Sequence, residues 1–111
     1  MTELERLAQR AGEVRARFAA FERASYGSEW SVQELLLGLM TDVGDLAAAV
    51  QRIEGRRPSS GTSEDRAALE HELADCLWVL LVVAERYEID LSQAFSTAMD
   101  GLVEWLGDQE R

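Results

Sequence analysis

The chain has 111 residues, and its 21 acidic and 11 basic side chains give it a formal net charge of −10. This length predicts one domain, residues 1–111. The 47% share of hydrophobic residues is typical of a globular protein rather than a disordered one. The negative charge argues against binding to nucleic-acid polymers or anionic membranes, since both attract basic proteins. It suits a protein that binds cations.

The predicted location is the cytoplasm. The single cysteine, Cys76, cannot form a disulfide within the chain, so nothing indicates an oxidising compartment. The first residues lack the basic start and apolar run of a secretory signal. The longest apolar run, residues 76–84, is far shorter than the roughly 20 residues that span a bilayer. We therefore expect no membrane partner.

Apolar residues recur at three- and four-residue spacings along most of the chain, which is the period of one helix face. Ala, Leu, Glu and Arg are abundant, and the chain has 1 proline. The predicted fold class is all-α, a four-helix bundle with one longer loop, rich in Gly, Ser and Pro, at residues 55–62. The predicted helices span about residues 3–24, 32–54, 63–87 and 91–107.

Each predicted helix has a start signal in front of it. The first and second begin with the S/T-x-x-E pattern of a capping box, with the caps at Thr2 and Ser31. Thr62 or Ser63 is the expected cap of the third helix, and Asp90 is that of the fourth. These caps set the predicted helix starts.

The third helix contains a segment, residues 76–84, that is apolar on every face. Its composition alone also suits a buried strand, but its flanks are helix-forming and carry no turn signal, which favours a helix. A helix that is apolar all round must be covered on all sides. Because four helices of this size leave part of it uncovered, we expect a homo-oligomer.

Two pairs of acids stand where apolar residues are expected. Asp42 and Asp45 share one face of the second helix with leucine, glycine and alanine neighbours three and four residues away. Glu72 and Asp75 are placed in the same way on the third helix. Burying a carboxylate without a partner is costly, and burying several together adds repulsion. The four acids therefore need a compensating partner or a proton.

Mg²⁺ fits this ligand set best, because it takes carboxylate oxygens and keeps waters for a phosphate-bearing substrate. The alternatives are protonated carboxyls, or a buried network with an arginine such as Arg52 or Arg66. No arginine stands between the two acids of either pair, which favours the metal. We expect a metal site between the second and third helices.

The segments at residues 39–46 and 71–78 resemble the MazG-like, all-α nucleoside triphosphate pyrophosphatases. That family carries an E-x-x-E pair on one helix and an E-x-x-D pair on the next, where this chain has D-x-x-D and E-x-x-D. Trp30, the turn at residues 90–91 and the pair at 99–100 extend the likeness over about residues 28–103.

The resemblance implies a hydrolase that cleaves a (deoxy)nucleoside triphosphate, or a damaged form of one, to the monophosphate and pyrophosphate, in nucleotide-pool house-cleaning. It implies Mg²⁺, with Mn²⁺ as the alternative ion, and a homodimer or homotetramer. One of the acids, or water bound to a carboxylate, would generate the nucleophile. The metal-binding and catalytic residues carried over from the family are Asp42, Asp45, Glu72 and Asp75.

The candidate substrate-binding residues are Trp30, Arg52, Arg56 and Arg57. Trp30 either stacks on a nucleobase or packs against Leu35 as a hydrophobic staple. The arginines are the expected phosphate ligands, because the last helix lacks the Lys, Arg or Asn that related enzymes present near its end. The alternative function is a catalytically weak or inactive member that serves as a nucleotide-binding or protein-interaction module.

Three further residues near the second acid pair are expected to be structural. His71, the only histidine, is predicted at the margin of the site, because it lies about 100° around the helix from Glu72. Trp78 is expected to pack in the core, and Cys76 to be a small core residue.

Overall fold

The computed structural model describes residues 1–110, and it contains four α-helices. The helices are α1 (Glu3–Tyr26), α2 (Val32–Ile53), α3 (Thr62–Arg86) and α4 (Leu91–Gln109). The predicted all-α fold is confirmed, and every predicted helix end lies within two residues of its observed position. The apolar segment at residues 76–84 is helical, and no strand occurs in the described part of the chain.

Three of the predicted helix caps are confirmed. Thr2 and Ser31 each form a complete capping box, in which the cap hydroxyl accepts a backbone N–H and a glutamate reaches back to the cap N–H. Asp90 accepts a hydrogen bond from the backbone N–H of Gln93 at 3.1 Å. These local bonds fix the starts of α1, α2 and α4.

The predicted cap of α3 is wrong. Neither Thr62 nor Ser63 holds the N-cap position, which belongs to Gly61 with φ 119° and without a side-chain cap. Asp65, in the first turn, turns back instead and accepts hydrogen bonds from the preceding loop. Because a carboxylate offers several acceptor sites, it can order the whole loop end, whereas one hydroxyl would satisfy a single N–H.

The core forms where α1 and α2 pack on α3. Its buried residues come from all three helices: Ala11, Leu35, Val79, Leu81 and Val82. The Trp78 indole donates to the backbone oxygen of Ala11 at 3.2 Å, and its ring centroid lies 5.6 Å from that of Phe18. Trp78 therefore packs between α1 and α3, as predicted.

The α4 helix contributes no buried residue to the single chain. Leu91 at its start packs against the core, but Phe95 is 62% exposed. The other large apolar residues exposed along α4 are Met99, Leu102, Val103, Trp105 and Leu106. Leu77 and Leu80, inside the apolar segment of α3, are also exposed. Part of the apolar segment of α3 is thus left uncovered, as expected. The homo-oligomer stays a prediction.

None of the helices formed by residues 1–110 combines the length and apolar character needed to cross a membrane. The cytoplasmic location stays a prediction. The assignment of the whole chain to one domain also stays a prediction.

Candidate metal centre

The two acid pairs meet where α2 lies beside α3. One oxygen each from Asp42, Asp45 and Glu72 lie within 4.8 Å of one another. A second triplet within the same distance consists of His71, Glu72 and Asp75. Glu72 belongs to both, so the five side chains form one continuous group, here called the acidic cluster. Ligands on opposite sides of a Mg²⁺ ion stand about 4.2 Å apart, so the spacing suits a cation.

The acidic cluster lies nearer the surface than the sequence predicts. Asp42, Glu72 and Asp75 are half-buried, and the Asp75 side chain is 43% exposed. Asp45 is exposed. The inward placement expected for Asp45 is therefore wrong for the single chain. Apolar side chains of α2 and α3 near the cluster are exposed too, since the rest of residues 1–110 leaves this surface uncovered.

Burial and like charges together disfavour ionisation of Asp42. Burial raises the pKa of its carboxyl above the ordinary value of 3.8, and the nearby charges of Asp75 and Asp45 raise it further. His71 acts in the opposite direction and lowers it. A carboxylate group that resists ionisation because other carboxylates surround it gains most from a divalent cation.

His71 is the site residue whose contact sequence reasoning missed. Its Nε2 atom lies 3.1 Å from Oδ2 of Asp75, although the imidazole is 69% exposed. The two residues are four apart on α3, so they stand on one face, and this spacing was the signal in the sequence. An imidazole nitrogen is a further donor suited to Mn²⁺ and other transition-metal ions.

The arginine network considered as an alternative does not form. Arg52 lies 3.7 Å from Asp65, and Arg66 lies 3.6 Å from Glu70. Among the ion pairs found within residues 1–110, none joins an arginine to the four acids of the cluster. Arginine therefore does not compensate these four acids within the described residues, which favours the metal ion over the arginine network.

The predicted phosphate-binding arginines are not brought to the acidic cluster within one chain. Arg52 follows Asp45 by seven residues on α2, about 10 Å along the helix axis. Arg56 and Arg57 are exposed in the loop beyond the helix, where the Arg57 guanidinium donates to the side chain of Gln51. Within residues 1–110 their side chains contact Asp65 and Gln51 rather than the four acids, so a second copy of the chain is one candidate source of such an arginine.

Trp30 packs against the turn of α2 that precedes Asp42. Its ring atom Cζ3 is 3.6 Å from the position that a Cβ on Gly38 would occupy. Gly38 stands one helical turn before Asp42, so the indole lies over the turn that leads into the cluster. The side chain is 42% exposed, which leaves ring surface for a ligand.

Residues 30–104 match the MazG nucleotide pyrophosphohydrolase domain. The match includes α2, α3, all four acids and most of α4, and it leaves out α1. Because it covers more than half of the chain, the protein belongs to the MazG nucleotide pyrophosphohydrolase family. The resemblance identified from the two acid pairs is thus confirmed.

Individual relatives are similar over part of the chain. The sequence is 40% identical over 70 residues to dCTP pyrophosphatase 1 of Bos taurus and of Homo sapiens, covering 61% of this chain and 41% of each relative. It is 31% identical over 65 residues to the uncharacterized protein YpjD of Bacillus subtilis, covering 59% of this chain and 58% of that protein. The chain therefore spans less than half the length of the dCTP pyrophosphatases.

Proposed function

We propose that this protein is a Mg²⁺-dependent nucleotide pyrophosphohydrolase that converts a (deoxy)nucleoside triphosphate to the monophosphate and pyrophosphate. The observation that carries the proposal is the acidic cluster, with its closely spaced oxygens, in a chain of the MazG family. The relatives named dCTP pyrophosphatase 1 favour a deoxynucleotide, so dCTP is the first substrate to test. Mn²⁺ is the alternative ion.

The residues of the acidic cluster suit the two tasks that this reaction sets. Asp42, Asp45 and Glu72 would hold the ion, which supplies charge neutralisation and an activated water when bound. Asp75, oriented by His71 through one oxygen, keeps its other oxygen to orient a water. The water oxygen would attack the α-phosphorus while one water proton passes to the free oxygen of Asp75. The bond from that phosphorus to the bridging oxygen would then break, and pyrophosphate would leave.

The direct test is pyrophosphate release from a panel of ribo- and deoxynucleoside triphosphates with Mg²⁺ or Mn²⁺. We expect release from at least dCTP, with the monophosphate as the second product, and no release with EDTA. Glu72→Gln removes the carboxylate shared by both triplets, so we expect activity to fall by about 100-fold or more. Glu70→Gln changes an exposed acid two residues away and serves as the matched control.

A second candidate function is supported by two observations: no ion pair within residues 1–110 joins an arginine to the four acids, and two aspartates stand in place of glutamates. In that case the protein binds nucleotide, or a partner protein, without turnover. Calorimetric titration with dCTP and Mg²⁺ separates the two functions. Binding without pyrophosphate release from any triphosphate in the panel would contradict the enzyme and favour the binding module.

We also propose that the protein works as a homodimer or homotetramer. The exposed apolar side chains of α4, together with Leu77 and Leu80 of α3, support this, since apolar surface of that extent commonly marks an interface. A second copy is also the available source of Arg52, Arg56 or Arg57 for phosphate binding. Light scattering is expected to give a mass of two or four chains, and a monomer at micromolar concentration would contradict the assembly.

A further inference from the structure

Glu22, near the end of α1, is a buried acid with an unusual contact. It is 8% exposed, and its Oε1 atom accepts a hydrogen bond from the backbone N–H of Trp30 at 2.9 Å. The same oxygen lies 3.4 Å from Nη1 of Arg15, two turns earlier on α1. A buried charge is costly unless it is paired and hydrogen-bonded, and both conditions are met here.

Arg15 binds the backbone carbonyl of Trp30, whose N–H is bound by Glu22. Its Nη2 atom donates to the backbone oxygen of Trp30, and it lies 3.6 Å from Oε2 of Glu29. The N–H and the C=O of Trp30 are therefore both bound by side chains of α1. We call Arg15 and Glu22 together the backbone clamp.

The backbone clamp acts on the residue that leads into α2. Trp30 immediately precedes Ser31, the cap of α2, so fixing its backbone fixes where the indole leaves the chain. The indole then lies over Gly38, one turn before Asp42. Trp30 and Arg15 also line a cleft of about 820 Å³, whose lining includes Tyr87 and no residue of the acidic cluster. The ring thus has open space beside it.

We propose that Arg15 and Glu22 are positioning residues that hold Trp30 at the edge of the acidic cluster, where its indole stacks on the base of the substrate. This inference rests on the proposed function, because it assigns the base-binding part of the same site. Neither residue of the clamp touches the acidic cluster. Both lie on α1, outside the region that matches the family.

The chemistry of the clamp distinguishes it from an ordinary salt bridge. The Trp30 N–H needs an acceptor, and the Trp30 C=O needs a donor. Glu22→Gln keeps an acceptor at the right place, whereas Glu22→Leu removes it. The exchanged pair Arg15→Glu with Glu22→Arg restores opposite charges, but arginine has no acceptor for the N–H and glutamate has no donor for the C=O.

The first measurement is steady-state hydrolysis of dCTP. Base–aromatic stacking contributes about 1–3 kcal/mol, so we expect Glu22→Leu to raise KM by about 10-fold with little change in kcat. Glu22→Gln is expected to stay close to wild type, and the exchanged pair is expected to behave like Glu22→Leu. A merely structural role would reduce the fraction of folded enzyme, which lowers apparent kcat and leaves KM unchanged.

The second measurement asks whether the clamp acts through Trp30. Trp30→Ala is expected to raise KM by a similar factor, and adding Glu22→Leu to it is expected to change nothing further. Additive effects of the two changes on KM would overturn the inference, because Glu22 would then act on the substrate by another route.

The third measurement needs no turnover. We expect Glu22→Leu, but not Glu22→Gln, to shift the indole N–H resonance of Trp30, assigned by its loss in Trp30→Phe. If the wild type is active and Glu22→Leu leaves KM or this resonance unchanged, the positioning role is overturned while the proposed function stands. If the resonance shifts but the wild type hydrolyses no triphosphate, the proposed function fails, and the role in base binding fails with it.

Discussion

Asp65 lies in the first turn of α3 and Asp42 in the middle of α2, and their surroundings have opposite effects on ionisation. Hydrogen bonds from the Ser59 hydroxyl and the Ser60 backbone lower the pKa of Asp65 below its ordinary value of 3.8. Burial works against them, and nearby Arg52 adds a smaller lowering effect. The charge of Asp65 is thus satisfied inside the chain, where it fastens the loop to α3.

At Asp42 the balance is reversed. Burial and the charges of Asp75 and Asp45 raise its pKa, and only His71 opposes them. The comparison shows that half-buried Asp42 and buried Asp65, on one helix pair, have opposite surroundings. A carboxylate that stabilises the fold is surrounded by donors, whereas one available to a ligand is surrounded by other acids.

The largest expected contrast is in the response to Mg²⁺. At 100 times its dissociation constant, an ion that binds only the folded state stabilises it by about 2.7 kcal/mol. We expect Asp42→Asn to lose most of this gain, since it removes a ligand, and to be no less stable than wild type without metal. Asp65→Asn is expected to melt several degrees lower without metal and to keep the full gain from Mg²⁺. Thermal melts with and without Mg²⁺ measure both.

The signs of these two effects decide the comparison. If millimolar Mg²⁺ or Mn²⁺ leaves the wild-type melting temperature unchanged, the acidic cluster is not a metal site of useful affinity. If Asp42→Asn destabilises the metal-free protein as much as Asp65→Asn does, Asp42 is a structural carboxylate. The distinction drawn between the two aspartates would then be wrong.

The sequence predicted the two acid pairs better than the role of Asp65. The acid pairs were visible because i, i+3 carboxylates among apolar residues are rare, and the pattern itself implies a shared face. The role of Asp65 was missed because it depends on how the loop at residues 55–62 folds back, and helix periodicity says nothing about that. Local hydroxyl caps were expected at Thr62 or Ser63, but a longer-range carboxylate replaced them.

The sequence also could not predict how exposed the acidic cluster is. Helical periodicity shows which residues share a face, but not whether that face is covered within one chain or by a second one. Asp45 illustrates this, since it shares the apolar face of α2 and is nevertheless exposed. The same reasoning applies to α4. Its helical period was visible in the sequence, but the sequence did not show that its residues would all stay unburied within residues 1–110.

A smaller expected contrast is in the pH dependence of stability without metal. Because the folded-state pKa of Asp42 is raised, the folded protein binds its proton first as the pH falls towards 3.8, so this residue becomes less destabilising there. Because the pKa of Asp65 is lowered, its contribution is complete above 3.8 and is lost as the pH falls further.

Denaturant unfolding across pH tests these signs with the two asparagine variants. The stability of Asp42→Asn relative to wild type is expected to be greatest at neutral pH and to shrink towards pH 4. The deficit of Asp65→Asn is expected to persist to about pH 4 and to shrink below it. Parallel curves for the two variants would contradict the opposite shifts.

The smallest expected effect is on the thiol pKa of Cys76, which responds to the charges of the neighbouring acids. Burial raises the pKa of its thiol above the ordinary value of 9.0, and Asp42, Glu72 and Asp75 add to this. We expect Asp42→Asn to lower the midpoint of the pH–rate profile for alkylation of Cys76 by iodoacetamide, because one negative charge is gone. Glu70→Gln is the control and is expected to leave the midpoint unchanged.

The midpoint of that profile separates charge from access. A variant that only opens the structure around Cys76 raises the plateau rate at high pH, whereas a change in the thiol pKa moves the midpoint. Because burial is the largest cause of the raised pKa, the shift in Asp42→Asn is expected to remain smaller than the shift on unfolding. A midpoint unmoved by Asp42→Asn would contradict the coupling, because it would mean that the charge of this carboxylate has no effect on the thiol.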